Sequence, residues 1–205
     1  MKIFLLTLFL LCFQAHAQNN LFRNNPDKFA DFGYTKQEIS ELKSQGTLSI
    51  FNKEKHNSSL AAKLFKTKEG GSITLNRAKK KKLTVIKRTE VEHFRLNYIF
   101  FDGSRMDYKV IDNLRDNILV MTKTRKFEDL AQRYSMDMNK NTGGDSGWFK
   151  KRDVPETFKN AALSSMRAAN ETFKVDLEQQ DWCYLILKSY SPKMIEEILV
   201  LETLK

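Results

Sequence analysis

Between two stretches with helical spacing the chain reads Thr142-Gly143-Gly144-Asp145-Ser146-Gly147-Trp148-Phe149. Glycine enters left-handed backbone regions closed to other residues. Gly143, Gly144 and Gly147 therefore announce a sharply folded loop that turns into a strand carrying Trp148 and Phe149. The same letters put Ser146 between an aspartate and a glycine, which invites a second reading as a nucleophile. A serine is weak until a neighbouring base takes its proton, and in the triad solution that base is a histidine oriented by a carboxylate. The chain holds only three histidines, His16, His56 and His93.

Gly144-Asp145-Ser146-Gly147 resembles the nucleophile motif of trypsin-like serine proteases. Neither His56 nor His93 stands in the Ala-Ala-His-Cys setting of that family, however, and two β-barrels do not fit a chain with so much helical patterning. The loop reading is the one that survives.

Met1 to Ala17 has one lysine, an apolar run from Ile3 to Phe13, and Ala15-His16-Ala17 in the small-x-small form of a leader-peptidase site. The expectation is an exported protein of the periplasm or cell envelope whose mature chain begins at Gln18. The apolar run is too short to span a bilayer. Of the two cysteines, Cys12 falls in this leader and Cys183 remains alone, so no intramolecular disulfide is expected. One cysteine and two separated histidines do not make a structural zinc site, and neither a metal nor a cofactor is expected. The formal charge is +10. Arg77, Lys79, Lys80, Lys81, Lys82, Lys87 and Arg88 form one basic run without an acid. Such a run is either a solvated hairpin loop or a contact for an anionic envelope surface, and an exported protein is not expected to meet nucleic acid.

Along the chain the reading divides into a leader (1–17), an accessory region (18–90), a main domain (91–190) and a C-terminal extension (191–205). In the accessory region Thr35 and Glu38 form a capping box, Tyr34 and Ile39 a hydrophobic staple, and Gly46 a stop. A second helix runs from Ser58 or Ser59 to Leu64. Ile73–Leu75 and Leu83–Lys87 alternate as a two-stranded ribbon. Val91 to Phe101 reads as one long strand with Phe94, Leu96, Tyr98 and Phe100 on one face and His93 on the other. Val110, Ile111, Leu114, Ile118 and Met121 have helical spacing, as do Phe127, Leu130, Ala131 and Tyr134. Pro155 opens a further helix expected to bury Phe158, Ala162 and Met166. Thr172–Leu177 and Trp182–Leu187 read as two strands around a turn. The order implies an α+β domain with helices packed on one antiparallel-rich sheet.

The ordered stretches Phe127–Phe149, Val154–Leu163 and Trp182–Lys188 resemble the parvulin family of peptidyl-prolyl cis/trans isomerases: a Phe-x-x-Leu-Ala-x-x-Tyr-Ser helix, a Gly-Gly-Asp loop, a Pro-x-x-Phe helix and a closing strand. The resemblance covers about Leu96 to Lys188. It implies a parvulin-like domain with a mixed, mostly antiparallel sheet and about four helices, beside a small N-terminal helix and ribbon region. It also implies the activity, which needs no cofactor: an X-Pro bond must be held while its carbonyl side rotates.

Position by position, the family's cysteine or aspartate falls on Asp137, expected at a solvent-facing rim of the groove. The two family histidines fall on Tyr98 and Tyr184, which as tyrosines can keep a hydrogen-bonded pair or serve as ordinary aromatic core. Val154 and Phe158 fall on the residues that cradle proline, and Ser146 stands where the family has a pocket leucine. Trp148 and Cys183 read as packing residues, Cys183 facing away from Tyr184. The resemblance implies an isomerase acting on unfolded or proline-containing polypeptides. The alternative keeps the fold as a catalytically degenerate chaperone or peptide-binding module.

Overall fold

The computed structural model describes residue 21 and residues 28–76 and 81–204. The leader reading over Met1 to Ala17 and the basic residues Arg77, Lys79 and Lys80 lie outside the described residues. Among the described residues seven strands run in chain order: β1 (Thr47–Asn52), β2 (Ser72–Asn76), β3 (Lys81–His93), β4 (Asn97–Asp102), β5 (Thr172–Leu177), β6 (Trp182–Leu187) and β7 (Lys193–Leu204). They are accompanied by five α-helices: α1 (Lys36–Gln45), α2 (Ser59–Lys66), α3 (Tyr108–Met121), α4 (Phe127–Tyr134) and α5 (Glu156–Ala162). The fold is α+β, and the strands form two sheets, ordered β1-β7-β3-β2 and β4-β6-β5, with antiparallel pairings throughout.

The local signals act where the sequence places them. Thr35 caps α1: its hydroxyl accepts from Glu38 N at 3.2 Å and its own N–H donates to Glu38 Oε2 at 2.7 Å. Tyr34 and Ile39 pack in one cluster with Phe29, Phe32 and Leu48. Ser58 caps α2 through Ala61 N, and the helix continues past Leu64 to Lys66. β2 and β3 make the expected ribbon, and at its described end Lys81 Nζ pairs with Glu202 at 2.7 Å.

Three expectations need correction. The strand read from Val91 to Phe101 is broken after His93, because the backbone there turns to a different partner. Phe94 exchanges N–H···O bonds with Phe149 at 2.8 and 2.9 Å, and Leu96 O accepts from Ser146 N at 3.0 Å. The break divides the single expected sheet into two. Next, β1 and β7 were not anticipated, yet β7 lies between β1 and β3. Its successive residues Ile198 and Val200 join Leu64, Leu83 and Val85 on one face, while Leu199 and Leu201 join Ile39 and Leu48 on the other. Both faces are covered, which explains the unbroken apolar run. Finally, Met166 is 92 % exposed: α5 ends at Ala162, so the helical spacing that would have carried Met166 inward is not continued.

The smaller sheet positions the site. Ile99, Phe101, Cys183 and Leu185 face α3 and α4. Tyr98, Phe100, Tyr184 and Ile186 face the opposite way, toward Phe158 and Ala162 of α5. A buried polar group joins this part to the larger sheet. Asn52 Nδ2 donates to Glu197 Oε1 at 2.9 Å, His93 Nε2 lies 3.2 Å from the same oxygen, and Lys150 Nζ donates to Glu197 Oε2 at 2.6 Å and to Asp31 Oδ2 at 2.9 Å. Burial alone would raise the Glu197 carboxyl, but the bonds from His93, Lys150 and Asn52 outweigh it and bring the pKa down to about 2. No helix of the described residues is long and apolar enough to cross a membrane.

Candidate active site

Asp145 fixes the glycine loop. Its carboxylate takes Arg95 Nε at 2.9 Å and Gly147 N at 2.9 Å, and Arg95 pairs with both of its oxygens. Those bonds outweigh burial and hold the Asp145 carboxyl below the usual range. Behind it the loop runs along the edge of β4: Tyr98 N donates to Gly144 O at 2.8 Å and Asn97 Nδ2 to Gly143 O at 3.1 Å. Gly144 has φ +79°, and a Cβ there would meet Tyr98 O at 2.5 Å and Ala131 Cβ at 2.9 Å. Only glycine allows α4, the loop and β4 to approach this closely.

Ser146 is spent on the backbone. Its hydroxyl accepts from Leu96 N at 3.1 Å and donates to Gly147 O at 2.8 Å. With both roles committed and no histidine partner, it is a loop fastener rather than a nucleophile.

The loop and α5 enclose an aromatic group. In the register of the smaller sheet Phe100 stands opposite Tyr184, and Tyr98 opposite Ile186. The Tyr98 and Tyr184 rings meet edge to face with centroids 5.6 Å apart, Phe158 meets Tyr184 in the same manner at 5.5 Å, and Phe100 lies 5.3 Å from Tyr184. Edge-to-face pairs add about 0.5–1.5 kcal/mol each beyond area burial. Val154 joins the same cluster.

Sequence reading expected the two tyrosines to bond each other as one option. Instead, the Tyr98 hydroxyl donates to Asp137 Oδ2 at 3.0 Å. Asp137 also accepts from the Ser135 hydroxyl at 2.9 Å and from Asn139 N at 3.2 Å. It is therefore half-buried, not solvent-facing, because it caps the short 3-10 turn Met138–Thr142 that follows α4. Burial pushes its carboxyl above the ordinary value despite the bonds from Ser135 and Tyr98. Burial, with the Asp137 charge beside them, likewise pushes both the Tyr98 and Tyr184 hydroxyls far up, so both stay protonated. The arrangement offers two neutral phenols, one carboxyl and an apolar wall.

Ser135 ends the Tyr-Ser helix motif, and its role is not legible in the sequence. Its hydroxyl accepts from Phe100 N at 3.0 Å while donating to Asp137, so it ties α4, β4 and the carboxyl together. Phe100 and Trp182, with rings 6.1 Å apart, extend the aromatic wall. Their place on the Tyr98 and Tyr184 faces, two residues along each strand, was the available signal. Cys183 faces the other cluster, where burial and the nearby Asp176 push its thiol up to about 11. Among the described residues no cluster of His, Cys, Asp and Glu has the arrangement of a metal site. Two clefts flank the aromatic group: one of about 470 Å³ bordered by Val154, Lys150 and Lys159, and one of about 310 Å³ bordered by Phe94, Leu96 and Tyr190.

Comparison with known proteins finds a family, a curated protein and solved structures that resemble this chain. Residues 75–187 match the family described as the PPIC-type PPIase domain. The foldase protein PrsA of Bacillus subtilis (strain 168) is 51 % identical over 44 residues, which are 21 % of this chain and 15 % of that protein. The crystal structure of PrsA from Bacillus subtilis shares 30 % identity over 48 % of this chain and 35 % of that one, with a TM-score of 0.36. A crystal structure of a PpiC-type peptidyl-prolyl cis-trans isomerase domain shares 20 % identity over 51 % of this chain and 94 % of that one, with a TM-score of 0.42. The match thus spans well under half the length of the PrsA protein.

Proposed function

Because this chain belongs to the PPIC-type peptidyl-prolyl isomerase domain family, we propose that it catalyses cis/trans isomerisation of X-Pro bonds and so assists the folding of exported polypeptides. The observation that carries this reading is the Tyr98–Asp137 hydrogen bond set against the Tyr98–Tyr184–Phe158 ring group. It supplies an apolar seat and a polar edge within one side chain of each other.

Rotation about an X-Pro bond is slow because amide resonance must be broken. The reaction requires no bond to the enzyme. It requires a seat that fixes the proline ring, freedom for the carbonyl side to turn, and stabilisation of the twisted amide, whose nitrogen has regained its lone pair. In this reading Val154 and Phe158 hold the ring, with Ser146 closing the loop behind it. Tyr98 and Tyr184 form the floor. Asp137 faces the carbonyl, whose oxygen carries more negative charge while the amide is planar than when it is twisted. A carboxylate near that oxygen raises the ground state relative to the twisted state, and Tyr98 keeps the carboxylate aimed.

The domain division into residues 18–90, 91–190 and 191–205 belongs to the same proposal, as does export to the periplasm or envelope. The basic run from Arg77 to Lys82 is assigned to anionic envelope material, a contact that rising salt should weaken.

A coupled peptide assay following X-Pro isomerisation tests the reading. The protein at micromolar concentration should accelerate the reaction, and Asp137→Asn should lower turnover about ten-fold, equivalent to about 1.4 kcal/mol of transition-state stabilisation. No acceleration by the wild-type protein would reject the catalytic reading. If client aggregation were still suppressed, the binding-module alternative would stand in its place.

A further inference from the structure

The smaller of the two clefts takes no part in the reaction described above. Phe94, Leu96, Ala162, Leu163, Tyr190 and Pro192 give it apolar walls around about 310 Å³. That is the small end of the range for ligand clefts, about 300–1,000 Å³, and it suits one large side chain. Its outer wall is held in place. Tyr190, 39 % exposed, lies under the Arg95 guanidinium at 4.5 Å, and Arg95 is itself fixed by both oxygens of Asp145.

Two distances along the chain set the cleft relative to the proline seat. Leu96 precedes Tyr98 by two residues, so their Cα atoms are at most about 7 Å apart. Ala162 follows Phe158 by one turn of α5, about 6 Å along the axis and on the same face. An extended polypeptide advances about 3.3–3.6 Å per residue. A client whose proline rests against Phe158 therefore brings a side chain two residues away to the cleft.

The rim adds charge. Among the described lining residues Arg95, Lys151 and Lys188 stand against one acid, Glu92. Asp145 answers Arg95, and Lys188 Nζ donates to the carbonyl oxygens of Ser164 at 3.3 Å and Arg167 at 2.6 Å. Lys151 pairs with Glu92 at 3.0 Å, the two side chains being 55 % and 46 % exposed. An exposed pair of this kind is weak, so Lys151 can turn to a carboxylate on an arriving chain.

We propose that this cleft is a specificity subsite for the client polypeptide. It takes a large apolar side chain two residues from the proline, with an acidic residue next beyond it. The placement rests on the isomerase reading above, whereas the chemistry of the occupant rests on the cleft's own walls and rim.

Seven-residue peptides of symmetrical sequence make the test independent of chain direction. Fluorescein-labelled Glu-Phe-Ala-Pro-Ala-Phe-Glu, Glu-Ala-Ala-Pro-Ala-Ala-Glu and Lys-Phe-Ala-Pro-Ala-Phe-Lys are titrated against the full chain by anisotropy. The first should bind about ten-fold more tightly than the second. It should bind about three-fold more tightly than the third at low salt, a preference that fades as salt rises. Ser165 lines the cleft and is exposed, so Ser165→Trp fills the cleft from outside the core; it should reduce the preference for Phe over Ala to about two-fold. Lys151→Glu should reverse the preference for Glu over Lys, and circular dichroism checks that both variants fold. Equal binding of the first two peptides by wild type, or a Phe preference that folded Ser165→Trp retains in full, overturns the subsite. A proline-free Glu-Phe-Ala-Ala-Ala-Phe-Glu that binds as tightly as the first peptide overturns its placement beside the seat. If both preferences hold and no peptide is isomerised, the subsite stands and the catalytic reading falls.

Discussion

Replacing Tyr98 by Phe removes one oxygen and leaves the ring in its place among Tyr184 and Phe158. The lost hydroxyl is the donor to Asp137 Oδ2 at 3.0 Å. A hydrogen bond to a charged acceptor contributes about 1.5–3 kcal/mol, and a chain of this length loses about 2–4 °C of melting midpoint per kcal/mol. Taking about 2 kcal/mol, the midpoint should fall by about 4–8 °C at neutral pH. The same bond opposes the burial that raises the Asp137 carboxyl, so its removal raises that pKa further. A protonated Asp137 is a weaker acceptor. The deficit of Tyr98→Phe is therefore fully present above the pKa of Asp137 and fades as pH falls through it. Calorimetry on wild type, Tyr98→Phe, Asp137→Asn and the double variant, repeated between about pH 4 and 8, closes the thermodynamic cycle. A coupling of about 1–2 kcal/mol is expected. Additivity within about 0.5 kcal/mol, or a deficit that does not change with pH, would refute the idea that Tyr98 supports the carboxyl.

Gly144→Ala combines left-handed strain of about 1–2 kcal/mol with overpacking of about 1–3 kcal/mol against Tyr98 O and Ala131. Gly147→Ala, at φ +63° with open space around it, should lose only the strain, and denaturant titrations giving equal losses would contradict the close-approach argument. Glu197→Gln breaks a buried charge group and should lose about 3–5 kcal/mol at neutral pH. Since the Glu197 pKa falls from 4.5 to about 2 on folding, its contribution is complete above about pH 4.5 and is lost as pH drops toward about 2; a variant whose deficit persists unchanged in acid would show that the charge is not its source. Phe158→Ala, which empties a fully buried position, should lose about 3–5 kcal/mol and abolish binding of proline peptides; a folded variant that binds them normally would move the seat away from α5.

What the sequence disclosed was what short-range chemistry decides. The Thr35–Glu38 cap, the φ-permissive glycines and the alternation Phe94, Leu96, Tyr98, Phe100 each act within a few residues, and each was readable. So were β5 and β6, whose turn follows directly from composition. β7 was hidden because Ile198 to Leu201 is apolar on both faces, a pattern that short-period reasoning does not separate from any other buried run. The Asp31–Lys150–Glu197–His93–Asn52 group was hidden for a different reason: its members come from five separate segments, and no spacing rule joins them. Asp137 follows α4, as the motif order implies, but its half-buried environment was not legible, because its burial depends on Tyr98 and Ser135, which meet it only in the folded chain.

The central place of β7 also governs when the molecule can assemble. β1 and β3 are not hydrogen-bonded to each other; each pairs with β7. The Asn52 and Glu197 that face one another there are 145 residues apart in sequence. During vectorial synthesis or translocation, the first strands emerge with their polar edges unpaired and wait until residues 193–204 arrive, whereas the smaller sheet closes once β6 is out. Pairings of such long range form late. The smaller sheet is thereby a local folding unit beside a larger sheet that only β7 completes, and truncating the chain before Lys193 should leave β1 and β3 as open edges prone to self-association.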